Sequence, residues 1–412
     1  MFYVMNYSIR VPSLAAACFG ILTVALITPT LAQAQLDNFF SDANFRGNFN
    51  LRLEIVNQDN ALADAEAFTL SSRLVFESGS VNGFSATLEI KNVSIVGGID
   101  NYSVGPTGFN PGQYSVIADP ETTELDQGFI QYKNDDLSIR LGRQVVIYDN
   151  QRFIGHVGWR QDRQTFDAVT IEYQALDSLQ LSYHYFDRRR RIFAEEADIE
   201  SGDNIFHLTY TGDFGTLTGY AYLLESSEKN NKLDTVGLKF SKQVKIAGLS
   251  TSYFLELATQ TSETDQKKND ASYFRIDAIV EIMPGINTRI GFEQLGSDSG
   301  QYGFSTILST LHLHNGWGDL FLTTPKQGLQ DIYASVSGNA FGGNWSLIYH
   351  DFSAEKETAG TDELGNEWDL QWVFPVSTSY TVGLKYAHYS SDTRTGPLPD
   401  TDKLWLWFNA RF

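Results

Sequence analysis

Between residues 47 and 55 the chain reads GNFNLRLEI, with Phe49, Leu51, Leu53 and Ile55 at every second position and Asn48, Asn50, Arg52 and Glu54 between them. A period of two puts the first set on one face of a β-strand and the second on the other. The same alternation sets Phe68, Leu70, Leu74 and Phe76 against Thr69, Ser71 and Arg73, and Phe84, Leu88 and Ile90 against Ser85, Thr87, Glu89 and Lys91. It returns in LQLSYHY, TVGLKFS, FRIDAIV, EWDLQWVF and YTVGLKYA. A soluble β-sandwich also alternates, so the connections have to separate the two architectures.

The connections alternate between short and long. Short joins rich in Gly, Asn and Asp fall near 79–81, 134–136, 175–178, 212–213, 243–248, 281–285, 338–343 and 375–377. Longer polar segments lie near 58–66, 93–123, 147–163, 189–201, 224–231, 261–269, 295–327, 354–366 and 390–402. Short turns on one side and long loops on the other are the asymmetry of a membrane barrel, with the turns periplasmic and the loops extracellular. The joins predict an all-β fold: a transmembrane antiparallel β-barrel of about 18 strands, both ends on the periplasmic side, wide enough for an aqueous channel. Residues 303–314, GFSTILSTLHLH, are apolar enough for a strand but are placed in a long loop that folds toward the pore.

Composition changes little in that picture. Beyond the first 34 residues no run of eighteen apolar residues offers a spanning helix, while 28 Phe, 20 Tyr, 7 Trp and 34 Gly suit aromatic girdles and tight turns. The apolar run VPSLAAACFGILTVALIT followed by PTLAQAQ predicts a signal peptide over residues 1–34, leaving a barrel over 35–412. The single cysteine, Cys18, lies in that leader, so the remainder has no disulfide, thiolate metal site or cysteine nucleophile. Without the leader, 29 basic residues face 50 acidic ones, a charge of −21 that argues against nucleic acid as a partner. The closing KLWLWFNARF keeps Leu404, Leu406, Phe408, Ala410 and Phe412 in one phase. A terminal aromatic on such a strand predicts delivery to the barrel assembly machinery through Phe412.

Four stretches carry a resemblance: DPETTELDQGFIQY (119–132), IRLGRQVVIYDNQRFIGHVGWRQDRQTFDAV (139–169), GDLFLTTPKQGLQDIY (318–333) and LIYHDFSAE (347–355). Together they resemble the alginate-export family of outer-membrane barrels in Gram-negative bacteria. The resemblance implies an 18-stranded barrel in the outer membrane that conducts an anionic polysaccharide or a related solute, without fixing the substrate.

The inward phase of the strands carries Arg52, Arg73, Lys91, Arg140, Lys239, Arg275, Arg289 and Lys385, with Glu54, Glu89, Glu172, Asp277, Glu293 and Asp369. These residues predict either a selectivity path in which guanidinium groups replace the hydration of passing carboxylates, or a salt-bridged lumen that merely avoids unpaired charge. At the channel mouth the candidates are Arg143, Arg152, Arg160 and Asp167, together with Arg188, Arg189, Arg190 and Arg191 of the DRRRR run, placed to meet lipopolysaccharide phosphates or an anionic oligo- or polysaccharide. Arg143 and Asp167 are out of phase with their strands, which predicts a bulge near Gly142 or a position beyond the lipid. Arg143 or Arg152 is expected to pair with Asp149, Asp162 or Asp167 and pin the 147–162 connection over the channel mouth.

An enzyme is the competing class. The histidines are scattered, and only His312 and His314, with Asp319 nearby, share a strand face in a way that suits a metal. The sequence has no G-x-S-x-G, H-E-x-x-H or P-loop motif. The reading is therefore a passive channel with no catalytic residues, metal or cofactor, surrounded by outer-membrane lipid and lipopolysaccharide. An outer-membrane hydrolase and a closed structural or adhesive barrel are the alternatives.

Overall fold

A computed structural model describes residues 38–226, 231–358, 361–392 and 398–412. The expected leader lies outside the described residues. Eighteen strands run β1 Asn44–Gln58, β2 Ala65–Glu77, β3 Phe84–Asn101, β4 Thr122–Lys133, β5 Leu137–Gln144, β6 Thr165–Leu176, β7 Leu179–Arg190, β8 Ile199–Gly212 and β9 Gly215–Ser226. The circuit continues with β10 Asn231–Ile246, β11 Leu249–Glu263, β12 Lys268–Met283, β13 Ile286–Leu295, β14 Leu329–Ala340, β15 Gly343–Thr358, β16 Thr361–Pro375, β17 Tyr380–Ser390 and β18 Thr401–Arg411. Each strand pairs antiparallel with the next, and β1 pairs with β18 from Asn48↔Arg411 to Gln58↔Thr401, closing an up-and-down barrel with no free edge.

Burial in this molecule is inverted, as a barrel in lipid requires. On β1, Arg52 and Glu54 are buried while Leu51, Leu53 and Ile55 are half-buried on the outer wall. Around the circuit Leu74, Ile90, Val236, Leu257, Ile290 and Ile332 are exposed outward, Ile290 at 65%. Rings gather at the turn end of the wall: Phe45 on Phe76, Phe84 on Tyr132, Tyr210 on Phe214 and Phe214 on Phe240. Aromatic rings of this kind mark the level where lipid meets water.

All eight expected short joins are turns, and the start of β1 and the end of β18 lie on their side, where Phe412 and Gly47 exchange backbone hydrogen bonds. Strand takes up part of three segments expected to be long loops: β9 and β10 reach Ser226 and Asn231, β11 and β12 reach Glu263 and Lys268, and β15 and β16 reach Thr358 and Thr361. Their outward positions turn polar once the strands rise past the lipid, so the apolar alternation fades although the ladder continues. Residues 303–314 lie in the long connection between β13 and β14, as expected, with one 3-10 turn at Leu311–Leu313.

The predicted bulge is not at Gly142. β5 and β6 pair without a shift, Arg143 directly opposite Asp167. Register shifts occur on the neighbouring pairs instead, at Glu89/Ile90 against Asp126 and at Phe186/Arg188 around Asp187. Gly142 has φ +129, and a Cβ there overlaps the Gly128 carbonyl, so the close approach of β4 and β5 requires glycine.

The apolar core sits inside the barrel. Phe153, Ile154, Phe304, Leu308 and Phe321 from the long connections pack on inward Phe166, Phe186, Tyr220, Tyr222, Tyr273, Phe352 and Tyr389. A second cluster joins Val56, Ala65 and Ala67 to Tyr102, Val104 and Ile117 of the β3–β4 connection.

Candidate functional site

Residues 145–164 between β5 and β6 and residues 296–328 between β13 and β14 fold into the lumen, beside the part of the β3–β4 connection that carries Asp119. They bind each other through their backbones. Gly155 N–H donates to the Leu308 carbonyl at 2.8 Å, Thr310 N–H to the Gln151 carbonyl at 3.1 Å, and Val157 N–H to Thr310 Oγ1 at 2.9 Å. Buried irregular backbone must find such partners, because an unpaired N–H costs about 1–3 kcal/mol.

The first segment is tied to the wall by charge. Arg160 donates through one nitrogen to both oxygens of Glu54 at 3.0 and 2.8 Å, and its other nitrogen reaches Asp319 at 3.4 Å. Burial lowers the Arg160 pKa, but Glu54, Asp119 and Asp319 more than offset it and hold the group above its usual range. Asp119 accepts from Arg52 and from the Gln161 backbone N–H, and despite burial Arg52 and Arg160 hold it below the usual carboxylate range. Lys91 pairs with Asp162, and Arg163 pairs with Glu89 at 2.7 Å and Asp126 at 2.6 Å. Arg73 donates to the Gln161 carbonyl at 3.1 Å. Arg152 crosses to Glu293 at 3.0 Å and bonds Asn315 of the second segment at 2.8 Å. On the far wall Lys239 and His207 hold Asp149 at 2.9 and 3.2 Å, which keeps that carboxyl down to about 2 against the effect of burial.

The second segment meets β16 and β18, the part of the wall that adjoins β1. Trp317 N–H donates to Asp369 at 3.2 Å and Gly318 N–H to Glu367 at 2.6 Å. Lys403 bridges to Asp319 at 2.9 Å. The Lys385 ammonium lies 4.0 Å from the Trp159 ring centre and 3.8 Å from that of Trp317, a cation held between one aromatic from each segment.

These placements sort the sequence candidates. Arg52, Glu54, Arg73, Lys91, Arg275, Arg289, Lys385 and their acidic neighbours do face inward, and Arg140 pairs with Glu172 at 3.5 Å lower on the wall. Arg275 and Arg289 both meet Asp277, at 2.9 and 3.0 Å. Arg152 and Arg160, expected at the mouth, are instead buried inside the lumen, so their segment divides the barrel and does not cover its entrance. Of the expected pairings, Arg143 meets Asp167 at 2.8 Å, whereas Arg152 takes Glu293. Arg143, Asp167 and Arg190 form an ion-pair group on the outer rim, where Arg190 reaches Asp167 and Asp198 at 2.7 and 2.5 Å, and Arg188 pairs separately with Glu200 at 2.6 Å. Arg189 turns inward onto Asp203 at 2.6 Å, because the Asp187 bulge reverses the phase.

His312 reaches Asp319 at 2.9 Å, but its other nitrogen faces Lys385 at 2.9 Å, and burial pushes its pKa down to about 3. The 3-10 turn at Leu311–Leu313 breaks the shared face, so His314 lines a different cavity. Among the described residues no group of three metal-ligating side chains forms.

The two segments line a cavity on each side. Toward the turns lies one of about 430 Å³, lined by Asn150, Gln151, Leu313 and His314 with Lys239, Arg275, Arg289 and Glu256. Toward the loops lies one of about 350 Å³, where Val157, Leu311 and His312 meet Arg160, Arg191, Lys403 and Asp319. The inward phase of the last strand pointed to Lys403, but it was not among the sequence candidates. Asp319 and Trp159 carried no periodic signal, because they sit on irregular segments.

The family model for alginate export matches residues 109–278. No curated protein matches the sequence. The fold is similar to Acinetobacter baumannii OccAB1 (TM-score 0.69, 11% identity, 91% of this chain and 97% of that chain) and to Pseudomonas aeruginosa OccK9 (TM-score 0.70, 12% identity, 91% and 100%). It is also similar to Acinetobacter baumannii OccAB4 (TM-score 0.68, 13% identity, 90% and 98%). With its lipid-facing apolar wall, its closed circuit of strands and these likenesses, the chain is an outer-membrane β-barrel, and over residues 109–278 it is similar to the alginate-export family.

Proposed function

We propose that the barrel is a passive channel for anionic solutes, working by facilitated diffusion. One observation carries the reading. Each cavity is lined by three cationic side chains and one carboxylate: Lys239, Arg275 and Arg289 with Glu256 on the turn side, and Arg160, Arg191 and Lys403 with Asp319 on the loop side. The other acids of the lumen, such as Glu54, Asp119, Glu293 and Asp277, are buried behind these surfaces in ion pairs. A solute therefore meets cations first, in weak sites on either side of a divided lumen, and weak repeated binding is what lets it enter and leave.

Reversal potentials in planar bilayers under a KCl gradient test this, with chloride preferred over potassium as the expected result. Liposome swelling is expected to rank uronate above neutral hexose. Absence of conductance at every voltage overturns the reading in favour of a closed structural barrel.

A further inference from the structure

Arg191 differs from the rest of its arginine run. Arg188, Arg189 and Arg190 each meet a carboxylate, whereas the Arg191 guanidinium donates only to neutral oxygens among the described residues, Gln164 Oε1 at 2.7 Å and the Ile307 carbonyl at 2.9 Å. The nearby Asp198 carboxylate is taken by the Arg190 guanidinium and by the Arg191 backbone N–H. Burial and the charge of Arg189 push the Arg191 pKa down to about 10, and the nearby Asp198 opposes that shift only in part.

Arg191 lines the loop-side cavity, where the other two cations are occupied: Arg160 by Glu54 and Lys403 by Asp319. Most of the remaining lining is apolar, interrupted by Gln58, Ser309 and the buried His312. Val116 and Leu322 are 51% and 49% exposed although neither is on the lipid face, and Ile192 and Phe193 complete the wall. Exposed apolar side chains gathered in a concavity around one unsatisfied charge match the composition of a small-molecule site, and about 350 Å³ lies within the range such sites span.

We propose that this vestibule binds a small amphipathic monocarboxylate, its carboxylate on Arg191 and its apolar body against Val116, Phe193 and Leu322, as the capture step before the solute meets the partition. The inference rests on the channel reading and narrows it. A polyuronate, hydroxylated along its whole length, gains nothing from an apolar wall, whereas a solute with an apolar body is stabilised there by removing that body from water.

Phenylacetate is the probe, with acetate, 2-phenylethanol and a mannuronate hexamer as comparators. Binding is read by calorimetry on the detergent-solubilised barrel and by current noise in bilayers. Phenylacetate is expected to bind at least tenfold more tightly than acetate or phenylethanol. Arg191→Gln is expected to lose at least tenfold in phenylacetate affinity, Arg191→Lys to recover part of it, and Phe193→Ser to bring phenylacetate toward acetate. Equal affinity for acetate and phenylacetate, unchanged binding in a folded Arg191→Gln barrel, or a hexamer that binds more tightly than phenylacetate overturns the inference. Conductance without phenylacetate binding sinks this site and leaves the channel reading intact, whereas binding without conductance sinks the channel reading alone.

Discussion

Arg160 joins three acids from three parts of the chain, Glu54 on β1, Asp119 in the β3–β4 connection and Asp319 on the second inward segment. Asp119 retains Arg52 and Asp319 retains Lys403 if Arg160 is removed, but Glu54 keeps only Arg52 at 3.8 Å. Arg160→Met is therefore expected to cost about 3–5 kcal/mol, the range for breaking a buried ion pair, and to raise conductance as the segment leaves its seat. Adding Glu54→Gln removes the stranded charge, so the double variant is expected to unfold at a higher temperature than Arg160→Met alone, as read from heat-modifiable migration. Asp162 on the same segment sets a pH response. Burial raises its pKa to about 6 although Lys91 opposes the shift. Protons bind the seated segment more tightly than a solvated one, so seating strengthens as pH falls through about 6 and levels off below about 4. His156 and His312, lowered to about 4 and about 3 by burial, stay neutral through most of that window. Opening events in bilayer recordings are expected to become rarer from pH 7 to pH 5, and Asp162→Asn is expected to abolish the change.

The two inward segments act as one element, since their contacts with each other are as close as those with the wall. Thr310 Oγ1 accepts from Val157 N–H and donates to Gln151 Oε1 at 2.7 Å. Gln151→Leu and Thr310→Val are thus expected to be non-additive, with a coupling of about 0.5–3 kcal/mol in the unfolding free energy; strictly additive losses mean that each segment seats alone. This is also the scale at which the sequence was least legible. The strands could be read because lipid on one side and charge on the other impose a period of two, so Arg52, Glu54, Arg275 and Lys385 could be assigned to the lumen by phase. The segments have no period. Its polarity makes the stretch 147–162 resemble an extracellular cover, but its arginines serve another purpose: they neutralise wall carboxylates such as Glu54 and Glu293 that the barrel buries. Strand ends were blurred for a related reason, because the ladder outlasts the lipid that marks it. The Arg143–Asp167 pair could be found from its broken phase, although the phase alone did not say which neighbouring strand carries the bulge.

Closure of the whole barrel depends on the seam between β1 and β18, and its last turn is made by the terminal residue. Phe412 exchanges backbone hydrogen bonds with Gly47 and stacks on Phe49 with ring centres 5.9 Å apart. A side chain at position 47 overlaps the Phe412 ring, so the seam is shaped around that ring. In the finished barrel the stacking is worth only about 0.5–1.5 kcal/mol beyond the area buried. Phe412→Ser, which keeps the backbone pairing, is therefore expected to lower the unfolding free energy in vesicles by roughly that amount. If the ring contributes nothing more, the variant accumulates in the outer membrane almost normally. If Phe412 is also the group by which the chain is delivered for assembly, the amount in the membrane falls at least tenfold while the protein refolded in vitro stays nearly as stable as the parent. Comparing the two measurements separates a seam contact from a recognition signal. Phe49→Ala serves as the control: it removes the same stacking and leaves the terminal residue in place. A loss of membrane-inserted protein equal to that of Phe412→Ser argues against recognition.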